Sequence, residues 1–161
     1  MLEPELTASS TEASGVRVPP PLYYVAGILI GLVLEAAFPI DRPSVAIMLA
    51  GTAIGIAGWL ALDGAAMISF ACARTSMVPV RPSSALVTTG PYRLTRNPMY
   101  AGMAFLYLAF SLALGLVWPL IVLPLMIAAV DRLVIATEEA YLLRRFGQPY
   151  RDYMTEVRRW L

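Results

Sequence analysis

Four long apolar stretches, separated by short polar segments, constrain the fold of this chain more than any other feature of its sequence. They cover residues 22–40, 45–73, 99–117 and 119–135. A helix needs about 20 mostly apolar residues to cross the hydrocarbon core of a bilayer. Of the 161 residues, 58% are hydrophobic and 14% are charged, whereas soluble domains carry about 25% charge. The sequence therefore predicts an all-α integral membrane protein with about four transmembrane helices.

The two ends of the chain differ from these stretches. Residues 1–21 are polar and acidic and lack the pattern of a secretory signal, so we expect a disordered cytoplasmic tail. Residues 146–161 place apolar and aromatic side chains on one helical face and charged ones, including Arg158 and Arg159, on the other. Gly147 can end the preceding helix and Pro149 can start the next. This pattern predicts an amphipathic C-terminal helix at the membrane interface.

Two pairs of glycines spaced four apart predict where the first helices pack. Gly27 and Gly31 share one face of the first helix, and Gly51 and Gly55 share one face of the second. Small residues at this spacing allow membrane helices to approach closely. We expect these faces to join the first two helices into a transmembrane hairpin, residues 22–73. Residues 74–161 then form a second unit, with a cytoplasmic loop, a helical hairpin and the amphipathic helix.

The arginines predict the orientation of the chain. With four spans and the N-terminus inside, Arg42 alone faces outward and every other arginine faces the cytoplasm. Basic residues concentrate in cytoplasmic loops of membrane proteins. We therefore expect both termini, and the polar segments that can carry chemistry, on the cytoplasmic side.

The absence of certain residue types excludes several classes of site. The chain has no histidine, no lysine and one cysteine, Cys72. Disulfide frameworks, zinc sites built from Cys and His, histidine-assisted nucleophiles and Schiff bases are therefore excluded, and we expect no metal. A net charge of +1 argues against nucleic-acid binding.

The first candidate site is the start of the third apolar stretch. Asn97 is a residue type that caps helix N-termini, and Pro98 suits the first helical turn. The free N–H groups of that turn, flanked by Arg93 and Arg96, would attract an anion. The same residues would also suit a well-capped helix whose arginines contact lipid phosphates.

Glu138 and Glu139 form the second candidate site. Two adjacent carboxylates at the end of a hydrophobic helix must be paired or solvated. They either bind a ligand or belong to an interfacial ion-pair network with Arg132 and Arg145.

Two further features remain open from the residues alone. Tyr150 and Tyr153 would either line a site beside the membrane or anchor a surface helix. Asp63 lies inside the second span, where an unpaired charge is costly. It would either line an acceptor pocket or pair with an arginine such as Arg74.

The order of these motifs resembles the isoprenylcysteine carboxyl methyltransferase family, which is related to the membrane phospholipid N-methyltransferases. The resemblance covers about residues 81–161, half of the chain. It rests on the helix start at Asn97, the apolar hairpin, the Glu138-Glu139 pair, Phe146-Gly147, and two tyrosines spaced three apart. The upstream segments 79–83 and 86–89 look like those of bacterial members.

This resemblance implies an S-adenosylmethionine-dependent methyltransferase of the bacterial inner membrane, with its active site facing the cytoplasm and a lipophilic acceptor. In the family, the segment that matches Arg96, Asn97, Pro98 and Tyr100 and the pair that matches Glu138 and Glu139 help to form the cofactor pocket, and Tyr150 and Tyr153 correspond to its aromatic end. We add Arg93 and Gly102 as candidate cofactor contacts, assign catalytic roles to Glu138 and Glu139, and expect Asp63 to bind the acceptor. The chain has no glycine-rich nucleotide-binding fingerprint, which agrees with a site of a different kind.

One departure from the family bears on the acceptor. Many relatives have histidine where this chain has Asn97, which cannot carry a proton near neutral pH. A carboxylate acceptor is already ionised, whereas an ammonium must first lose a proton. We therefore favour O-methylation of an isoprenoid- or lipid-linked carboxylate. The alternatives are N-methylation of a phospholipid amine, or a non-enzymatic four-helix assembly factor, which would leave the order of the motifs unexplained.

Overall fold

The computed structural model describes residues 18–73 and 86–161, and these residues form helices without any β-strand. The α-helices are α1 (Pro20–Ala37), α2 (Val45–Trp59), α3 (Ala65–Ala73), α4 (Pro98–Ala113), α5 (Val117–Val130), α6 (Ala136–Phe146) and α7 (Gln148–Glu156). A first π turn, Leu60–Gly64, joins α2 to α3, and a second, Asp131–Ile135, joins α5 to α6. A 3₁₀ turn, Gly90–Arg93, precedes α4.

In the described parts of the chain, three continuous helical segments are long and apolar enough to cross a membrane: Pro20–Ala37, Val45–Cys72 and Val117–Phe146. The apolar helix α4 is shorter, with 16 residues. The predicted all-α membrane fold is confirmed, although two boundaries differ. The helix in the third apolar stretch, α4, ends at Ala113 rather than at residue 117. Gly115 adopts a φ of +67° there and turns the chain toward α5. The fourth helix continues past Ile135 as far as Phe146.

The glycine faces pack on the later helices rather than on each other. Gly31 of α1 lies against Pro119 of α5, where an added Cβ would be 2.5 Å from the Pro119 ring. Gly55 of α2 lies against α4, where a Cβ would be 2.7 Å from the Phe105 carbonyl oxygen. The prediction that these glycines join the first two helices is wrong. Each face instead fits the neighbouring surface of the α4–α5 hairpin, so α1 packs mainly on α5 and α2 on α4.

Glu35 of α1 binds the start of α5 in the α4–α5 hairpin. The sequence predicts no role for this residue. One oxygen of its carboxylate accepts hydrogen bonds from the backbone N–H groups of Val117 and Trp118, each at 3.1 Å. A helix N-terminus has unsatisfied N–H groups and a partial positive charge. Glu35 therefore caps α5 from the neighbouring helix.

The last described residues do not continue the amphipathic helix. α7 ends at Glu156, and Val157 is extended, with φ −120° and ψ 134°. The backbone carbonyl of Arg158 accepts a hydrogen bond from the Arg96 N–H at 2.8 Å. The predicted amphipathic helix is present as α7, but its expected extension to Leu161 is wrong, because contacts with the start of α4 replace helical bonds. We call residues 157–161 the strap.

Candidate active site at one end of the bundle

The helices alternate in direction, so the starts of α1 and α4 lie at the same end of the bundle as the ends of α3 and α6. Two contacts fix this arrangement. The Tyr24 hydroxyl of α1 donates to the backbone carbonyl of Tyr100 in α4 at 3.0 Å. The rings of Phe70, in α3, and Tyr92, in the 3₁₀ turn, meet edge to face at 5.7 Å. The candidate site residues of the sequence are found at this end.

The strap binds the start of α4 through side chains as well as backbone. Asn97 immediately precedes α4, as predicted, and Pro98 is the first helical residue. The side-chain amide of Asn97 does not cap the helix. It donates to the backbone carbonyl of Arg159 at 3.1 Å, and the Thr95 hydroxyl donates to the same oxygen at 2.8 Å. The expected side-chain cap is wrong at this position, because the strap competes for the Asn97 amide.

Glu139 is buried at the centre of a charge network. Its carboxylate pairs with Arg96 at 3.1 Å and with Arg159 of the strap. Arg159 also binds Asp131 of the second π turn at 3.2 Å. The side chains of Glu139 and Arg96 are only 9% and 10% exposed. A buried carboxylate needs such partners, because removing it from water without them is costly.

Glu138, the neighbouring carboxylate, faces a different partner. It accepts a hydrogen bond from the Tyr100 hydroxyl at 2.7 Å. Tyr100 is buried at the start of α4 beside the core formed by α1, α4 and α5. The two adjacent glutamates therefore serve two sets of contacts, one aromatic and one cationic.

Tyr150 and Tyr153 of α7 are buried against the protein, next to the charge network. The Tyr153 hydroxyl donates to the Tyr92 carbonyl at 2.7 Å, and the two α7 rings lie 6.1 Å apart. Burial raises the pKa of Tyr153 to about 12. Burial also raises the pKa of Tyr150, with a further contribution from the charge of Glu139, which Arg96 partly offsets. Both tyrosines are therefore neutral hydrogen-bonding groups at physiological pH.

Asp63 enters the site from the first π turn. The position that a Cβ of Gly102 would take overlaps its carboxylate, so the missing side chain of Gly102 makes room for Asp63. Oδ2 of Asp63 is buried and has no hydrogen-bond partner within the described residues, and Arg74 lies outside them. Burial raises the pKa of the nearby Tyr92, and the negative charges of Glu138 and Asp63 raise it further. The predicted acceptor-binding residue is thus close to the glutamate–tyrosine cluster.

The structure brings most of the predicted site residues together. Arg96, Asn97, Tyr100, Glu138 and Glu139 are linked, directly or through the strap, by the contacts described above, and Tyr150 and Tyr153 line the same region. Pro98 starts the helix and Gly102 accommodates Asp63. Arg93 differs, because its side chain is exposed on the 3₁₀ turn outside the charge network.

Sequence reasoning missed four residues of this site. They are Thr95, Asp131, Arg159 and Trp160. The sequence predicts Arg159 on the polar face of a helix that runs to Leu161, whereas α7 ends at Glu156 and Arg159 contacts the charge network. Asp131 lies in a π turn, and no residue pattern in the sequence predicts such a turn. The one feature of the sequence that could have indicated these contacts is Trp160, which directly follows Arg158 and Arg159.

The polar atoms left without partners indicate what the site can bind. Within the described residues, three buried polar atoms make no hydrogen bond: Nε of Arg96, Oδ2 of Asp63 and the hydroxyl oxygen of Tyr141. Nε of Arg96 is a donor, Oδ2 of Asp63 is an acceptor and the hydroxyl can act as either, so polar groups of a ligand would satisfy them.

Comparison with known proteins identifies the family. The model described as phospholipid methyltransferase matches residues 45–149, which include α4, both glutamates and the second π turn. An uncharacterized protein of Haemophilus influenzae is 40% identical over 65 residues, 39% of this chain and 100% of that protein. No solved structure matches the chain. The family match covers well over half of the sequence and implies membrane methyltransferase activity; the chain belongs to the phospholipid methyltransferase family, which includes the isoprenylcysteine carboxyl methyltransferase-like membrane enzymes.

Proposed function

We propose that this protein transfers a methyl group from S-adenosylmethionine to a lipophilic acceptor, an isoprenoid- or lipid-linked carboxylate. The observation that carries the proposal is that the buried pair Arg96 and Glu139 is joined to the strap through Arg159, beside Glu138 and Tyr100. Enzymes of this family generally use S-adenosylmethionine. The cluster supplies charged and aromatic groups at the end of a membrane bundle, where a lipid head group can reach them.

The cofactor would be held by the residues that the sequence indicated. Arg96, through its free Nε, and the start of α4 at Asn97 and Pro98 would bind its carboxylate, with Arg93 approaching from the surface. Glu139 would accept hydrogen bonds from its amino group or ribose. Tyr100, Tyr150 and Tyr153 would pack on its adenine or sulfonium, and a cation over an aromatic face gains about 0.5–2 kcal/mol. Gly102 would keep the wall beside Asp63 open.

The chain's own contribution to the reaction is alignment and exclusion of water. When bound, S-adenosylmethionine would supply an electrophilic methyl group, with the S–CH₃ bond broken as a carboxylate oxygen of the acceptor bonds to the methyl carbon. Because such an acceptor is already ionised, the residues of this chain would not need to remove a proton. Burial of Glu139 and Arg96 keeps the surroundings dry and fixed, and such positioning accounts for a large share of catalysis in reactions of this kind. Glu138 would orient the acceptor through Tyr100.

N-methylation of a phospholipid amine is the second candidate function. It is favoured by Asp63, whose buried Oδ2 has no hydrogen-bond partner within the described residues and can accept the proton that an ammonium must lose. In this reaction Asp63 or Glu138 would take the proton before the nitrogen attacks. The two candidates share the cofactor site and differ in the acceptor.

The location proposed for this chemistry is the cytoplasmic face of a bacterial inner membrane. Arg93, Arg96 and Arg145 lie toward the site end of the bundle, whereas Arg42 lies in the turn between α1 and α2 at the other end. This asymmetry supports a cytoplasmic site and cytoplasmic termini. The division into residues 1–21, 22–73 and 74–161 stays a prediction.

Calorimetry with S-adenosylhomocysteine tests the cofactor site on protein purified in detergent. We expect wild-type protein to bind and Glu139→Gln to bind about tenfold or more weakly, because a charged hydrogen bond contributes about 1.5–3 kcal/mol. Asn97→Ala should also weaken binding, as should Tyr100→Phe, which removes only a hydroxyl group. Glu156→Gln alters an exposed carboxylate at the end of α7 and should leave the affinity unchanged.

The outcomes of this titration separate the possibilities. Wild-type affinity in all three site variants would place the pocket elsewhere. Lack of binding by folded wild-type protein at millimolar ligand would contradict a methyltransferase and favour an assembly factor. Mass spectrometry of lipids from expressing cells, supplied with an isotopically labelled methyl donor, would then identify the acceptor as a methyl ester or a methylated amine.

A further inference from the structure

An apolar groove lies between α4 and α5, beside the candidate active site. Its volume is about 350 Å³, within the range of about 300–1,000 Å³ for ligand pockets. Its walls on the two helices are formed by Ala101, Ala104, Phe105, Leu108, Leu123 and Ile127. The small side chains of the two alanines leave the space that larger residues would fill. The groove therefore has the shape and the chemistry to hold a hydrocarbon segment.

The strap closes the end of this groove that is nearest to the site. Trp160 and Leu161 line the groove, and the Trp160 indole N–H donates to Oδ1 of Asp131 at 2.8 Å. Asp131 also binds Arg159, which pairs with Glu139. One short segment thus contacts the apolar groove through Trp160 and the charge network through Arg159.

The position of the groove determines what can occupy it. It begins at Ala101, next to Tyr100, whose hydroxyl binds Glu138. From there it follows α4 to Leu108, a distance of about 10 Å at 1.5 Å per residue. A molecule with a polar head at Tyr100 and a hydrocarbon chain in the groove would fit both surfaces. The apolar lining of the groove matches the hydrocarbon of the surrounding bilayer, so a hydrocarbon chain that enters from the bilayer encounters no polar barrier.

We propose that this groove binds the hydrocarbon chain of the methyl acceptor, and that Trp160 is the residue that determines which chains fit. This inference rests on the proposed function, because it assigns the chain of the acceptor of that reaction. It requires the acceptor to place a linear or prenyl chain in the groove. It also couples the two sites, since a chain that moves Trp160 also shifts Arg159 on Glu139. Such coupling is reciprocal in binding free energy.

Fluorescence quenching of Trp160 by a brominated fatty acid tests the groove without requiring methylation. In a Trp59→Phe, Trp118→Phe background, Trp160 is the single tryptophan. We expect dibromostearate to quench it saturably in detergent and unbrominated stearate to reverse the effect. Ala104→Phe fills the groove and should weaken this binding by about tenfold, equivalent to about 1.4 kcal/mol. Ala53→Phe makes the same change on the exposed face of α2 and should have no effect.

Binding of S-adenosylhomocysteine, measured on the same samples, separates failure of this inference from failure of the proposed function. Stearate should change that affinity in the wild type, and Asp131→Asn, which weakens the link between Trp160 and Arg159, should reduce the change. Saturable quenching without cofactor binding would support the groove and contradict the methyltransferase. Linear quenching that is equal in Ala104→Phe and Ala53→Phe, with cofactor binding intact, would overturn the groove assignment alone. A brominated fatty amine that binds more tightly than the acid would keep the groove and favour the amine acceptor.

Discussion

At the scale of single residues, the close approach of Asp63 and Gly102 decides how the first π turn meets α4. We predict Gly102 from the sequence as a candidate cofactor contact, next to the motif that resembles the family. In the structure, the space beside its Cα is taken by the Asp63 carboxylate. Position 102 therefore requires glycine because the Asp63 carboxylate, from another part of the chain, occupies the space of a side chain. The sequence of residues 97–102 gives no sign of this contact.

Replacing Gly102 by alanine should destabilise the protein. The new Cβ would overlap the Asp63 carboxylate, and overpacking of this kind costs about 1–3 kcal/mol. Thermal unfolding in detergent should show a lower midpoint for Gly102→Ala. Gly64→Ala is the matched control, because a Cβ there meets no atom within 4 Å. Equal midpoints for the two variants would show that Asp63 can turn away at no cost.

The residues of the candidate site were predictable to different degrees. Glu138, Glu139 and Asn97 are close in space because their order along an antiparallel hairpin requires it. Arg159 was not predictable, because charged residues at helical spacing extended the expected helix through it. The physical competition was between local helical bonds and contacts with a distant helix start, and the latter prevail from Val157 onward.

At the scale of elements, each of the two longest helical segments contains a π turn with one aspartate. Asp63 lies in the first turn and Asp131 in the second. A π turn widens the helix by one residue and shifts the faces that follow, and such turns are frequent at functional sites. Apolar length predicted these helices, but apolar sequences carry no signal for the change from i+4 to i+5 bonding.

The cap that α1 supplies to α5 leads to a prediction about the hairpin. Glu35→Ala removes the acceptor of the Val117 and Trp118 N–H groups, and loss of a helix cap costs about 0.5–2 kcal/mol. The unfolding midpoint should fall. Glu35→Gln should fall less, because it keeps an oxygen acceptor and loses only the attraction between charge and helix dipole.

Affinity for S-adenosylhomocysteine provides the check on this prediction, since the cap lies at the opposite end from the site. It should be unchanged in both Glu35 variants at temperatures where they are folded. A large loss of affinity would mean that the ends of the bundle are coupled.

At the scale of the whole molecule, the polar clusters gather at one end of the bundle and a helix cap closes the other. The number of apolar segments and their alternation were predictable from length and hydropathy alone. The sequence did not predict which helices pack on each other. A glycine face indicates that a helix packs closely on another helix, but it does not indicate which one. The structure supplies the partners, α5 for Gly31 and α4 for Gly55.

The single cysteine allows the proposed orientation to be tested. Cys72 is exposed near the end of α3, at the site end of the bundle. A membrane-impermeant maleimide should label it in inside-out vesicles and not in intact spheroplasts. In a Cys72→Ala background, Asp41→Cys in the turn between α1 and α2 should show the opposite pattern. The reverse result for both would place the site outside the cytoplasm.

The packing of the first two helices on the last pair has a consequence for biosynthesis. During translation, α1 and α2 leave the ribosome and enter the bilayer before the surfaces that receive Gly31 and Gly55 have been made. Until α4 and α5 follow, their glycine faces meet only lipid. The bundle can therefore form only after α4 and α5 have been inserted, because α1 and α2 pack on these later helices.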